Sequence, residues 1–242
     1  MEQVTIDVYK FEELGTEAKD KAVSYYRENW MDHNWWDSTY EDFITILNLL
    51  GFTPSTTTRH TTKGKSYEEP NIFFSGFWSQ GDGASFEGYF TISETLKAVE
   101  QLKTHVGEDA VLHGIAESIQ VTSQACLEAL GAGWPEALGS CVIRITRPGS
   151  PRYSHEMTMD VDMEPVFDEI AYQLGDDYDK FDKHAIVNTY GEAMLSHARS
   201  LARWLYKALE SDYEAQTSEE AIGDSYAANE VRFLEDGSIF SR

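Results

Sequence analysis

The stretch that most restricts the fold is Ile72 to Phe90, IFFSGFWSQGDGASFEGYF, in which two aromatic, β-prone runs flank Ser79-Gln80-Gly81-Asp82-Gly83-Ala84. Glycines on both sides of an aspartate supply the positive φ angles that a chain reversal requires, so the stretch predicts a hairpin. Strand alternation would put Ile72, Phe74, Gly76 and Trp78 on one side and Phe73, Ser75, Phe77 and Ser79 on the other. Aromatic residues on both sides predict a hairpin lying inside a sheet.

The flanking chain supplies more strands and several helices. Val4 to Tyr9 alternates as a half-buried strand, and Thr16 can cap a helix with Ala18, Ala22, Tyr25 and Tyr26 on one face. Ser38-Thr39-Tyr40-Glu41 has the form of a capping box, opening a helix to Leu50 with Gly51 as its C′ residue. The threonine-rich run from Gly51 to Thr62 suits an edge strand, and Lys63-Gly64-Lys65 a turn. Ser93 can cap a helix that Gly107 ends, and Leu112, Ile115, Ile119, Cys126 and Leu130 share one face of the next. Ser140–Thr146 and Arg152–Val161 read as a second hairpin, and Val166, Phe167, Ile170 and Leu174 as a short helix. Ile186, Tyr190, Ala193, His197, Leu201, Trp204 and Ala208, with Met194, Leu205 and Leu209 widening the stripe, mark one long helix. Thr217-Ser218-Glu219-Glu220 is a second capping box, Val231–Leu234 a final strand and Glu235–Ser238 a final turn. These elements predict an α+β fold: an antiparallel, aromatic-rich sheet with helices mainly on one face, in a single domain over 1–242 with a sub-division near 131–139.

Composition narrows the function. With 242 residues the chain can bury about 70 to 75% of its extended surface, and 41% hydrophobic and 13% aromatic content argue for a packed globule. No apolar run reaches the roughly 18 residues of a membrane span and the first residues lack a signal-peptide pattern, so the expected compartment is the cytoplasm. Cys126 and Cys141 are expected to be buried thiols. Nineteen Lys and Arg against 42 Asp and Glu give a net charge of −23, a field that repels nucleic acid and anionic membranes unless a local basic patch or a metal intervenes. The same field attracts basic surfaces.

The acidity peaks between Glu156 and Asp182. Glu156, Asp160, Asp162, Glu164, Asp168, Glu169, Asp176, Asp177, Asp179 and Asp182 face one cation there, Lys180. Alternation places Met157, Met159, Val161 and Met163 on one face of a strand and Asp160, Asp162 and Glu164 on the other, so the carboxylates form a row. Glu156, Asp160, Asp162, Glu164, Asp168, Asp176, Asp177 and Asp179 are the candidate partner-binding residues. Trp35, Trp36, Trp78, Gln80 and Asp82 are secondary candidates. No zinc spacing, calcium loop or nucleophile elbow occurs, so no catalytic, metal or cofactor residue is assigned and a non-enzyme is expected. The Gly81-Asp82-Gly83 loop joins strands and carries a carboxylate, which disfavours phosphate. His197, on an apolar stripe, reads as a hydrogen-bonded core histidine.

Four segments carry a family resemblance: FSGFWSQGDGASFEG (Phe74–Gly88), KFEELGTEAKDKAVSYYRE (Lys10–Glu28), WWDSTYEDF (Trp35–Phe43) and TSEEAIGDSYAANEVRFLEDG (Thr217–Gly237). In them the chain resembles a family of uncharacterised phage and prophage proteins, some of which carry an antitoxin N-terminal label. The resemblance implies a phage-derived, cytoplasmic α+β protein and brings no functional residues with it. The leading expectation is a non-enzymatic inhibitor of a bacterial defence protein, of anti-CRISPR or anti-restriction type. Its acidic surface would imitate nucleic acid and occupy a basic nucleic-acid-binding groove. One alternative is an antitoxin-like regulator binding a toxin through aromatics near Trp30, Trp35 and Trp36. The other is an enzyme or small-ligand sponge at the Asp82 loop. Direct nucleic acid binding is not expected, and hairpin edges allow a homodimer.

Overall fold

The computed structural model describes residues 5–130, 142–149, 152–174 and 183–240. Residues 131–139, where the sequence suggests a sub-division, lie outside them, as do Cys141, Asp176, Asp177 and Asp179. The chain is α+β and its strand pairings are antiparallel among the described residues. No helix among the described residues is long and apolar enough to cross a membrane. The chain forms two compact units, Met1–Ser38 with Leu209–Arg242 and, between them, Thr39–Ala208.

In the first unit, α1 (Thr16–Asn29) and α9 (Glu219–Ala228) enclose a core of Phe11, Leu14, Ala18, Ala22, Ile222, Tyr226 and Phe233. Val4 lies outside the described residues, and residues 5–9 are not a strand: among the described residues only Tyr9 pairs, with Phe233, and Ile6 and Val8 are exposed. Val231–Leu234 likewise reduces to Phe233, bridged to Tyr9 and Ile239. The turn at Glu235–Ser238 forms, with Gly237 at φ 81° against the Ala18 carbonyl. Helix starts differ from expectation by a residue. Thr16 lies inside α1 behind Gly15, and α9 is capped by Ser218, whose oxygen accepts from Ala221 N at 3.2 Å. Thr217 is buried instead and donates to Tyr213 O.

In the second unit, α2 (Asp37–Leu49) starts one residue before the expected cap Ser38 and ends at Gly51, φ 75°. The strands β1 (Phe52–Pro54), β6 (Gly88–Thr91), β7 (Val142–Thr146) and β8 (Asp160–Asp162) form one sheet in the order β1-β6-β7-β8. Phe52, Phe90 and Ile143 align on its buried face, while Thr53, Tyr89, Arg144 and Asp162 align on the open one. Among the described residues β2 (Thr56–His60) pairs only β3 (Ser66–Pro70), and β4 (Ile72–Phe74) only β5 (Ala84–Phe86). The opening hairpin therefore exists but is not inside a sheet. Its second arm divides at Glu87, β5 staying with β4 and β6 joining the larger sheet. Strand alternation stops at Phe74, and Trp78 is 83% exposed.

The helices on the buried face differ from expectation in two instructive places. The expected helix from Ser93 is broken into α3 (Ile92–Thr95) and α4 (Ala98–His105). Thr95 Oγ1 lies 2.6 Å from both Ile92 O and Ser123 Oγ, which ties that turn to α5 (Ala110–Leu130) and halts it. Leu112, Ile115, Ile119 and Cys126 of α5 are buried as expected. Beyond α6 (Glu164–Leu174), the long helix runs as α7 (Lys183–Ile186), a π-turn at Val187–Gly191 and α8 (Glu192–Gln216). The π-turn holds one residue more than an α-turn. The buried stripe after it runs through Met194, Ala198, Leu201, Leu205 and Leu209, so Leu201 and the flanking Met194, Leu205 and Leu209 lie inside as expected, while Ala193, His197, Trp204 and Ala208 are half-buried beside them. His197 flanks that stripe, bonded to Thr122 Oγ1 at 2.9 Å, with its pKa lowered by burial.

Tyr226 links the helices of the first unit. Its ring is fully buried and its hydroxyl donates to Ala22 O at 2.8 Å, and burial first, with Tyr25 and Tyr26 beside it, raises its pKa to about 12. Tyr226→Phe is expected to cost about 1 kcal/mol, the usual net value of such a bond. Because the folded pKa lies above the unfolded value of about 10, this stability is complete below pH 10 and disappears as the pH rises towards 12. Chemical denaturation of both proteins from pH 7 to 12 measures it: the wild type should lose stability above pH 10 more steeply than the variant.

Candidate functional site

The Ser79–Gly83 loop is built by its own aspartate. The Asp82 Oδ2 accepts from Trp78 N at 2.9 Å and Ser79 N at 2.6 Å, and Asp82 N donates to Ser79 O at 3.0 Å. One carboxylate oxygen thus holds the backbone of its own loop. Gly81 has φ 95°, and a Cβ there would meet the Tyr153 ring at 2.7 Å; one on Gly83 would meet His155 Cα at 2.8 Å. The glycines therefore serve close approach as well as turning. Phe77 packs on Phe74 and Tyr206, with ring centroids 4.9 and 5.5 Å away, leaving Trp78 and Gln80 outside in solvent.

That approach explains why Arg152–Val161 is not a strand. Residues 152–155 lie irregular against the loop, Glu156–Thr158 forms a single 3-10 turn, and pairing begins only at Asp160. Arg147 holds the segment there. Its guanidinium sits 3.9 Å from the Phe73 ring centroid and donates to Tyr153 O at 2.7 Å and Thr158 Oγ1 at 3.3 Å. Sequence reasoning had no signal for Arg147 beyond its place before a turn. Burial lowers its pKa, and Glu87 acts in the opposite direction.

The predicted row of carboxylates is consequently interrupted. Glu156 is on the 3-10 turn, its side chain only 12% exposed, with Arg203 Nη1 at 3.3 Å. His155 Nδ1, 3.1 Å away, accepts from Met157 N and so leaves Arg203 as the cation on Glu156. Asp162 is paired with Arg144 at 3.1 Å, and its other oxygen accepts from Glu164 N at the start of α6. Asp160 is exposed on the sheet edge and accepts from Val161 N. Glu164 and Asp168, four residues apart on α6, are exposed and form no ion pair among the described residues. Met159 and Met163 are buried as the alternation requires, but Met157 is 61% exposed because the 3-10 turn takes it off the strand.

The remaining candidates lie elsewhere. Trp35 and Trp36 are half-buried, stacked edge to face at 5.6 Å, and Trp35 also packs on Tyr213 at 5.4 Å. Among the described residues, no three His, Cys, Asp or Glu side chains are grouped to hold a metal ion. One cleft of about 290 Å³ opens on the sheet beside Glu87, Tyr89 and Arg144, away from Asp82. Asp109, which the sequence reading passed over, caps α5. It accepts from Val111 N, Leu112 N and Trp204 Nε1, each at 2.9 Å. Burial would raise its pKa, but these bonds outweigh that and lower it.

Residues 35–219 match the family described as a domain of unknown function, DUF8835. The chain belongs to that family. No curated protein and no solved structure matches it. The matched region holds the Asp82 loop, Arg147 and the acidic segment, so the whole arrangement lies within the family domain.

Two substitutions test the loop. Gly81→Ala combines a positive φ with contact to Tyr153 and should cost about 1 to 3 kcal/mol in denaturant unfolding. Asp82→Ala should speed hydrogen exchange at the Trp78 and Ser79 amides while leaving the β6–β7 amides protected. Unchanged exchange at both would show that the carboxylate does not hold the loop.

Proposed function

We propose that the protein is a non-enzymatic, phage-derived inhibitor that binds a host defence protein at that protein's basic nucleic-acid-binding surface. The observation that carries this reading is the exposed pair Glu164 and Asp168, one turn apart on α6 beside Asp160, in a chain of net charge −23. Glu156 and Asp162 have cationic partners within the fold and act as supports for this face. The carboxylates most available to a basic groove are therefore Asp160, Glu164 and Asp168. Rigidly held surface charge of one sign steers a basic partner and raises its association rate, and it does so in a salt-dependent way.

The test is affinity capture from bacterial lysate with the wild type and with Asp160→Asn/Glu164→Gln/Asp168→Asn. A nucleic-acid-binding protein should be retained at about 50 mM salt, released near 1 M where screening acts within about 3 Å, and displaced by added DNA. The triple variant should lose at least tenfold of it. Capture that neither salt nor the variant alters would refute mimicry through this face.

A further inference from the structure

The β2–β3 ribbon has both faces in solvent. All five residues of β2 are exposed, as are Ser66–Glu69 of β3, and the turn between them is exposed throughout. A lone two-stranded ribbon without an apolar face is marginal in water. Polar ladders order this one instead. Thr56 and Thr58 donate to the two oxygens of Glu68 at 2.8 and 2.7 Å, and Arg59 Nε donates to Glu69 at 2.6 Å. At the base, Thr57 Oγ1 donates to Asn71 Oδ1 at 2.7 Å and Asn71 N to Ser55 O at 2.8 Å. The arm is thus built to stand out without burying anything of its own.

Its charge is opposite to that of the chain. Over residues 56–70 Arg59, Lys63 and Lys65 stand against Glu68 and Glu69, a net of +1 in a chain of −23. The two carboxylates pair in the base half, opposite Thr58 and Thr57, and the tip over residues 60–67 holds His60, Lys63 and Lys65 with no Asp or Glu. Five residues of strand reach about 17 Å. At physiological ionic strength that is roughly two Debye lengths, so the negative field at the base is reduced roughly sevenfold at the tip. The repulsion of polyanions expected from the net charge therefore does not extend to the arm.

We propose that the β2–β3 arm contacts a nucleic-acid duplex, entering a groove with Lys63 and Lys65 against its phosphates. A two-stranded ribbon has the width that the major groove of B-DNA admits. The lysines are of the donor type that positions proteins on the phosphate backbone, while the hydroxyls of Thr56, Thr57 and Thr58 are engaged within the arm. Two lysines neutralising two phosphates give a shallow salt dependence, with log affinity falling about twice as fast as log salt rises. This proposal is independent of the acidic-face reading, because the residues concerned are different.

The test is fluorescence anisotropy of a labelled duplex of about 20 base pairs titrated with the full chain. Saturable binding at 50 mM salt should weaken about tenfold at 200 mM. Lys63→Gln/Lys65→Gln, checked by thermal melting to be folded, should reduce the salt slope by about two and abolish most of the binding. Asp160→Asn/Glu164→Gln/Asp168→Asn should retain that slope. No anisotropy change up to about 100 µM protein, the weak end of non-specific duplex affinity, overturns the proposal, as does binding that the lysine variant keeps. Sedimentation showing a dimer that the lysine variant dissociates, without duplex binding, would assign the arm to a second copy of the chain and equally overturn it.

Discussion

The central unit depends on a closed ring of three backbone hydrogen bonds. Ser55 N donates to Glu87 O at 2.9 Å, Glu87 N to Asn71 O at 2.9 Å, and Asn71 N to Ser55 O at 2.8 Å. Three pieces of chain leave this ring in different directions: β1 and β6 into the large sheet, β4 and β5 into the hairpin, and β2 and β3 into the arm. Side chains lock it. Asn71 Nδ2 donates to Ser55 Oγ at 3.1 Å and Glu87 Oε2 at 3.0 Å, while Glu87 Oε1 accepts from Arg147 N at 3.0 Å. Gly88 follows at once because a Cβ there would collide with the Thr53 carbonyl and the Phe52 ring. Each backbone group in the ring has a partner, so the chain can divide here without leaving buried donors unsatisfied.

This junction also explains what could and could not be read in the sequence. Periodicity located α1, α2, α5, α6 and α8, since a helix signals itself within a few turns, and Gly51 and Gly64 marked their chain reversals locally. The division of the Ile72–Phe90 hairpin at Glu87 was invisible because it depends on Ser55 and Asn71, each distant in sequence. The same holds for Arg152–Val161, whose alternation is good but whose first half is pulled from strand geometry by Arg147 and the Asp82 loop. The π-turn at Val187–Gly191, which interrupts the long helix, has no simple mark in the sequence.

The candidate site was legible as composition but not as arrangement. Counting carboxylates found the acidic segment, Glu156 included, yet alternation treated Asp160, Asp162 and Glu164 as equivalent. Their partners make them unequal: Arg203 and Arg144 take up Glu156 and Asp162, and of the candidates among the described residues Asp160, Glu164 and Asp168 remain outward. Asp82 likewise gains a structural part that the sequence does not display, its Oδ2 accepting from two backbone amides of its own loop. Whether a carboxylate is functional or structural depends on which donors reach it, and those donors come from elsewhere in the chain.

Charge segregation gives the fold a direction. An ordinary soluble surface intersperses both signs. Here the tip of the ribbon, residues 60–67, carries only cations, whereas Glu156, Asp160, Asp162, Glu164 and Asp168 lie on the 3-10 turn, β8 and α6. Solubility requires neither the separation nor an ordered arm with no core of its own, and an exposed, unpaired ribbon edge is a liability that Glu68, Glu69 and Arg59 only blunt. Glu68 shows how the arm is kept ordered despite this, its pKa lowered by hydrogen bonds from Thr58 and then Thr56. An arm stiffened by hydroxyl–carboxylate ladders, and kept free of acid beyond them, has the construction of a contact element rather than that of a tolerated loop.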